Sequence, residues 1–129
     1  MNLEIEHLAL NVPDPVEMAR WYENHCGMRI ARGMAVPPFT HFLVDAAGHV
    51  AIEIYKNPTD PIPDYAALHP LRFHLAFTAD DPGATARMLI EAGAEMVEEV
   101  RPEDGSYLVM LRDPWKIPLQ LCRRAEPFV

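Results

Sequence analysis

His7-Leu8-Ala9-Leu10-Asn11-Val12-Pro13-Asp14-Pro15 returns as His74-Leu75-Ala76-Phe77-Thr78-Ala79-Asp80-Asp81-Pro82, later in the chain by 67 positions (74 − 7). His, Leu, Ala, Asp and Pro coincide at that spacing. Self-similarity at a fixed long spacing marks a duplicated structural unit. The same shift carries Ala19-Arg20 onto Ala86-Arg87 and Ile52-Glu53-Ile54 onto Leu119-Gln120-Leu121. Two copies of one unit therefore account for most of the 129 residues.

Each copy begins with alternating apolar residues, which is the period of a strand. Asp14-Pro15 and Asp81-Pro82 then offer a carboxylate cap followed by proline at the first helical position, so both predict a helix start. Met18, Trp21, Tyr22 and His25 share a face of the first helix, with Thr85, Met88, Leu89 and Ala92 as counterparts in the second. Gly27 and Gly93 end the two helices. Three runs rich in β-formers follow in each copy, at residues 28–34, 39–45 and 50–55, then at 96–101, 107–112 and 117–122. The order βαβββ, twice, predicts an α+β fold. Prolines at 58, 61, 63 and 70 leave residues 57–70 unable to hold a helix or a central strand, so they read as a linker. The expected organisation is a single domain, residues 1–129, with module one at 1–56 and module two at 71–124.

A chain of this length buries roughly two-thirds of its unfolded surface. Half of its residues are hydrophobic and 23% are charged, so it has the means for a core without a partner. A net charge of −8 selects against nucleic acid or an anionic membrane surface, both of which favour basic proteins. The opening MNLEIEHLAL carries acids where a secretory signal carries Lys or Arg, and no apolar run reaches membrane-spanning length. A cytoplasmic location is expected. Cys26 and Cys122 have neither metal-ligand nor redox spacing and read as reduced thiols.

The chemistry emerges from strand alternation. In the first strand Leu8, Leu10 and Val12 form an apolar face, which places His7 on the other face beside Ile5 and Ala9. Val50, Ile52 and Ile54 oppose Glu53. Phe73, Leu75 and Phe77 oppose His74, and Ile117, Leu119 and Leu121 oppose Gln120. If the apolar faces pack on the helices, His7, Glu53, His74 and Gln120 all project from the other side, as two duplicated pairs. Any one of them alone reads as an ordinary core or solvent-facing residue. Their coincidence at repeat-related positions points to a divalent metal site. Imidazole, carboxylate and amide oxygen suit zinc, nickel, cobalt, manganese or ferrous iron, with water in the open positions. Tyr55 and Arg72 share this face by parity and are candidates for binding an anionic substrate. His41, Tyr107 and Trp115 are candidates to line the pocket or its rim, with packing and loop anchoring the favoured reading; His25 reads as packing within the first helix, and His49 as part of the turn before the fourth strand.

Duplicated βαβββ modules, a His-Leu-Ala-Leu first strand, and ligand-competent residues on the first and fourth strand of each module resemble the vicinal oxygen chelate superfamily of glyoxalases, epimerases, bleomycin-resistance proteins and extradiol dioxygenases. The likeness spans nearly the whole chain. It implies a curved, partly closed eight-stranded mixed sheet with helices on the convex side. It also implies a divalent metal held by His7, Glu53, His74 and Gln120, a small-molecule substrate, and a homodimer. Size and the His, Glu, His order are similar to bacterial glyoxalase I, whose fourth position is normally Glu. Gln120 replaces that proton-transferring carboxylate with an amide that does not exchange a proton near neutral pH. Glu53, at the repeat-related position, is then the candidate catalytic base. The resemblance implies a metal-dependent lyase or isomerase of the glyoxalase or epimerase type. A metal-free, drug-sequestering binding protein is the alternative from another class, a degenerate paralogue that keeps these residues only as a polar interior network is a third reading, and an extradiol-type dioxygenase ranks below the enzyme and binding readings.

Overall fold

The computed structural model describes residues 1–49 and 51–128. The expectation for Val50 therefore lies outside the described residues. In chain order the elements are β1 (His7–Asn11), α1 (Pro15–His25), β2 (Arg29–Gly33), β3 (His41–Val44), β4 (Ala51–Tyr55), one 3-10 turn (Tyr65–Ala67), β5 (Leu75–Thr78), α2 (Pro82–Glu91), β6 (Glu95–Val100), β7 (Tyr107–Arg112) and β8 (Pro118–Arg123). They fall into two compact units, Met1–Pro63 and Asp64–Val129. Each unit carries one βαβββ copy.

In the first unit the sheet order is β1-β4-β3-β2, and in the second it is β5-β8-β7-β6. The eight expected strands are thus present as two open, four-stranded mixed sheets. The first and last strand of each copy run parallel, and the remaining neighbours are antiparallel. Parallel pairing needs a crossover, and the helix and hairpin between β1 and β4 supply it. Both helices start as the sequence predicts. Asp14 accepts from the backbone N–H of Glu17, Asp81 accepts from that of Ala84, and proline follows each cap. Gly27 and Gly93 have φ of 67° and 111° just past the helix ends, a conformation that costs glycine little.

One face of each sheet lies under its helix. In the first unit Leu10, Val12, Leu43, Ile52 and Ile54 are buried with Met18, Ala19, Trp21 and Tyr22 of α1. In the second Val109, Leu111, Leu119 and Leu121 are buried with Ala86 and Leu89 of α2. Each large side chain removed from water contributes about 1.5–3 kcal/mol before the entropy of ordering it is subtracted.

Three local expectations differ from the structure. His25 is exposed, with its ring centroid 5.5 Å from that of Trp21, because the last turn of α1 runs past the edge of the core. The buried line of α2 passes through Pro82, Ala86 and Leu89, which leaves Met88 on the far side of the helix and 67% exposed. Residues 57–70 do hold a helical turn, since the stretch between Pro63 and Pro70 is free of proline. Arg112 secures that turn by donating to the carbonyls of Tyr65 at 2.8 Å, Leu68 at 2.7 Å and Lys116 at 3.0 Å. Among the described residues no helix is long and apolar enough to cross a membrane.

Candidate functional site

In the first unit β1 and β4 pair in parallel, with His7 opposite Ala51 and Ala9 opposite Glu53. His7 and Glu53 therefore lie on one face, two residues apart along the register. This is the face that α1 leaves uncovered. Phe42 of β3 stands opposite Glu53, and its ring meets the His7 imidazole edge-on at a centroid distance of 5.9 Å. Nδ1 of His7 lies 2.7 Å from Oε1 of Glu6. An ionised carboxylate only accepts, so Nδ1 carries the proton of this contact and Nε2 of the neutral ring presents a lone pair. Glu53 is half-buried and His7 is exposed.

The second unit repeats the arrangement. Ala76 stands opposite Gln120 in the parallel β5–β8 pair, and β5 begins at Leu75, immediately after His74. Nδ1 of His74 lies 2.8 Å from the carbonyl oxygen of Pro70. A carbonyl has no proton to give, so Nδ1–H donates and Nε2 is the basic nitrogen here too. Met110 stands opposite Gln120 where Phe42 stands opposite Glu53. The thiol of Cys122 donates to Oε1 of Gln120 at 3.3 Å. Burial pushes that thiol up from its ordinary pKa, against the weaker pull of Arg124, so it stays protonated and the donor direction is secure.

The first unit thus sets His7 and Glu53 on the face its helix leaves uncovered, while in the second unit Gln120 holds the equivalent place on β8 and His74 directly precedes β5. Among the described residues no group of three or more His, Cys, Asp or Glu side chains is placed so as to hold a metal ion, so the expected His7, Glu53 and His74 cluster is not assembled in this structure. Tyr55 keeps the parity expected of it, two residues along β4 from Glu53 and paired with Asn11. Arg72 does not. It sits exposed in the turn before β5, its N–H donating to His69 at 2.8 Å, where strand alternation no longer fixes direction. His41 is buried on the helix side, with Nδ1 against the carbonyl of Phe39 at 2.7 Å. Its ring lies over Gly33, where an added Cβ would come within 2.7 Å of it. Tyr107 is buried, donates to Glu99 at 2.7 Å and lies under the Arg101 guanidinium at 3.9 Å. The N–H of Trp115 donates to Asp113 in the β7–β8 turn, and that of His49 donates to Asp45 in the turn before β4.

The sequence reading missed Phe42, Glu6 and the Pro70 carbonyl. Adjacency signalled Glu6, and the alternation His41, Phe42, Leu43 signalled that Phe42 leaves the helix side. A backbone acceptor leaves no trace in sequence.

The model of the glyoxalase-like domain matches residues 7–122. No curated protein matches the chain in sequence. Among solved structures, SMU.1112c is 25% identical with a TM-score of 0.72 over 95% of this chain and 100% of that one. A glyoxalase I variant from Zea mays is 22% identical with a TM-score of 0.74, and the match spans 95% of this chain but only 46% of that one. TnmS3, an antibiotic binding protein from Streptomyces sp. CB03234, is 16% identical with a TM-score of 0.70 over 93% of this chain and 94% of that one. These likenesses share the two-sheet architecture described above. The chain belongs to the glyoxalase-like domain family, within the vicinal oxygen chelate superfamily.

Proposed function

We propose that the protein is a metal-dependent lyase or isomerase of the glyoxalase or epimerase type, acting on a small chelating substrate. His7, Glu53, His74 and Gln120 are the proposed ligands of one divalent ion, and Glu53 is the proposed base. The supporting observation is the state of the two histidines. Both rings direct Nδ1 at an acceptor, the exposed carboxylate of the adjacent Glu6 for His7 and the backbone carbonyl of Pro70 for His74. This is the outer-shell arrangement that orients a ligating imidazole and raises the basicity of Nε2. Glu53 shares the face of His7, two residues along the register, and Gln120 holds the repeat-equivalent position in the second sheet.

Two neutral imidazoles, one carboxylate and one amide leave a divalent site with net positive charge. Such an ion, when bound, would supply Lewis acidity toward a carbonyl or enediolate oxygen. The remaining work belongs to the side chains. Glu53 accepts a proton from substrate carbon and returns it, the task for which a half-buried carboxylate is suited. Gln120 orients and does not shuttle, because its amide exchanges no proton near neutral pH. Tyr55 borders Glu53 and would hydrogen-bond a substrate oxygen. The proposed assembly is a homodimer, which sedimentation of the pure protein tests.

The test of the metal is thermal. Nickel, zinc, cobalt or manganese added to EDTA-stripped protein is expected to raise Tm by several degrees, and Glu53→Ala and His74→Ala are each expected to abolish the rise. Absence of any rise with all four metals would sink the assignment. A second reading, a metal-free binding protein, draws on Gln120 standing where proton chemistry wants a carboxylate, and on the antibiotic-binding neighbour TnmS3. It predicts ligand binding that EDTA leaves intact and Glu53→Ala leaves nearly unchanged.

A further inference from the structure

Rows of paired residues crossing the first sheet end on two arginines. On the uncovered face, one row runs Ala9, Glu53, Phe42, Arg32, and its neighbour runs His7, Ala51, Val44, Arg29. Positions 29 and 32 are three apart, so in a regular strand their side chains would point to opposite faces. The register shift between Ile30 and Arg32 inserts one residue and brings both to the same face. Both arginines are exposed, and neither takes part in an ion pair or side-chain hydrogen bond among the described residues.

The duplicated sheet supplies an internal control. Its β6 has the same shift, between Met96 and Glu98, but the corresponding rows end on Glu98, beyond Gln120 and Met110, and on Glu95, beyond Pro118 and Arg112. The fold therefore accepts either sign of charge at this edge, and packing does not demand arginine. Glu95 is moreover engaged by Lys116, an ion partner that Arg29 and Arg32 lack among the described residues. Two of the eleven basic residues of an otherwise acidic chain thus stand side by side, in register with His7 and Glu53. Neighbouring strands lie about 4.8 Å apart, so the Arg32 backbone is roughly 10 Å from that of Glu53, with the half-buried ring of Phe42 between them.

We infer that the uncovered face of the first unit takes a small molecule bearing a carboxylate or phosphate, which Arg29 and Arg32 clamp while an apolar or aromatic body lies over Phe42 and Val44. The inference rests on the reading that places the reacting end at His7 and Glu53, and it adds the class of substrate. Guanidinium is the side chain best shaped for a planar, two-point grip on either anion. The distance from Glu53 requires an apolar spacer between the anionic group and the reacting end.

The test uses the full-length protein stripped with EDTA, and phenylacetate, phenyl phosphate and the neutral phenylacetamide as probes in a calorimetric or NMR titration. At least one acid should bind about tenfold more tightly than the amide and weaken as salt rises, since exposed charges are screened within about a Debye length. Selectivity for one acid would identify the anion as carboxylate or phosphate. Arg29→Gln combined with Arg32→Gln should bring the acid down to the affinity of the amide at unchanged Tm, while Glu95→Gln with Glu98→Gln should change nothing. The inference is overturned if neither acid outbinds the amide, if the double arginine variant binds the acid as wild type does, or if no acid binds up to about 10 mM. Because the titration is run without metal, its failure is separate from failure of the metal assignment, which the nickel-dependent Tm reports.

Discussion

Tyr107 shows how burial decides between two readings that sequence neighbours leave open, with packing the favoured one. An aromatic at the start of a strand can line a pocket rim or pack, and here the ring is buried on the helix side with Arg101 across its face and Gly83 of α2 beside its hydroxyl, where an added Cβ would approach to 3.0 Å. The hydrogen bond to Glu99 holds the Tyr107 phenol above its ordinary pKa, and burial and the Glu99 charge add to the effect. A folded-state pKa above the unfolded value means that the contribution to stability is complete below the ordinary value of 10.0 and fades as pH rises through the raised one. Tyr107→Phe should therefore lower Tm near neutrality, and the gap to wild type should close in strong alkali. A gap that stays constant with pH would show that the phenol–carboxylate bond is not its source. At this scale the parity of His7, Glu53 and Gln120 was legible because period-two alternation is a local rule. Their partners were not, because Phe42 reaches Glu53 only through strand register, and Pro70 reaches His74 only through a turn.

Helix starts were the most legible elements, since cap, proline and apolar period all agree within one turn. Asp14 and Asp81 perform the same task in separate units, each accepting from the N–H three residues on. Alanine at either position should cost about 1 kcal/mol in urea unfolding with an unchanged slope, and serine should restore most of it. The two losses should add to about 2 kcal/mol in the double variant, because the caps share no partner. A double loss well short of that sum would mean that one helix end is already frayed in wild type. Strand edges were harder to place. The bulges in β2 and β6 are invisible to an alternation count, and each moves the residues after it to the opposite face from the one a regular strand predicts. Arg29 and Arg32 owe their common direction to such a bulge, so no reading of the arginines alone would have paired them. The turn at Tyr65–Ala67 was hidden for a related reason, because its support comes from Arg112, far along the chain.

For the molecule as a whole, duplication makes a specific demand on the proposed metal site. Each unit offers one imidazole and one oxygen donor, which is half of a ligand set, so nickel should need both units intact. His7→Ala and His74→Ala should each abolish the nickel-dependent rise in Tm, although the two changes lie in different compact units. Mixing the two variants after partial denaturation and refolding then separates two arrangements of a dimer. If the first unit of one copy completes its site with the second unit of the other, the mixed dimer carries one intact site and one doubly altered site, and nickel binding returns to about a quarter of wild type, since half of the dimers are mixed and each holds one site of two. If each chain completes its own site, every site in the mixture lacks one histidine and no binding returns. Retention of full nickel binding by either single variant would contradict the four-ligand arrangement itself. The remaining pair on one sheet would then be sufficient, and the repeat would reflect ancestry of the fold rather than a shared centre.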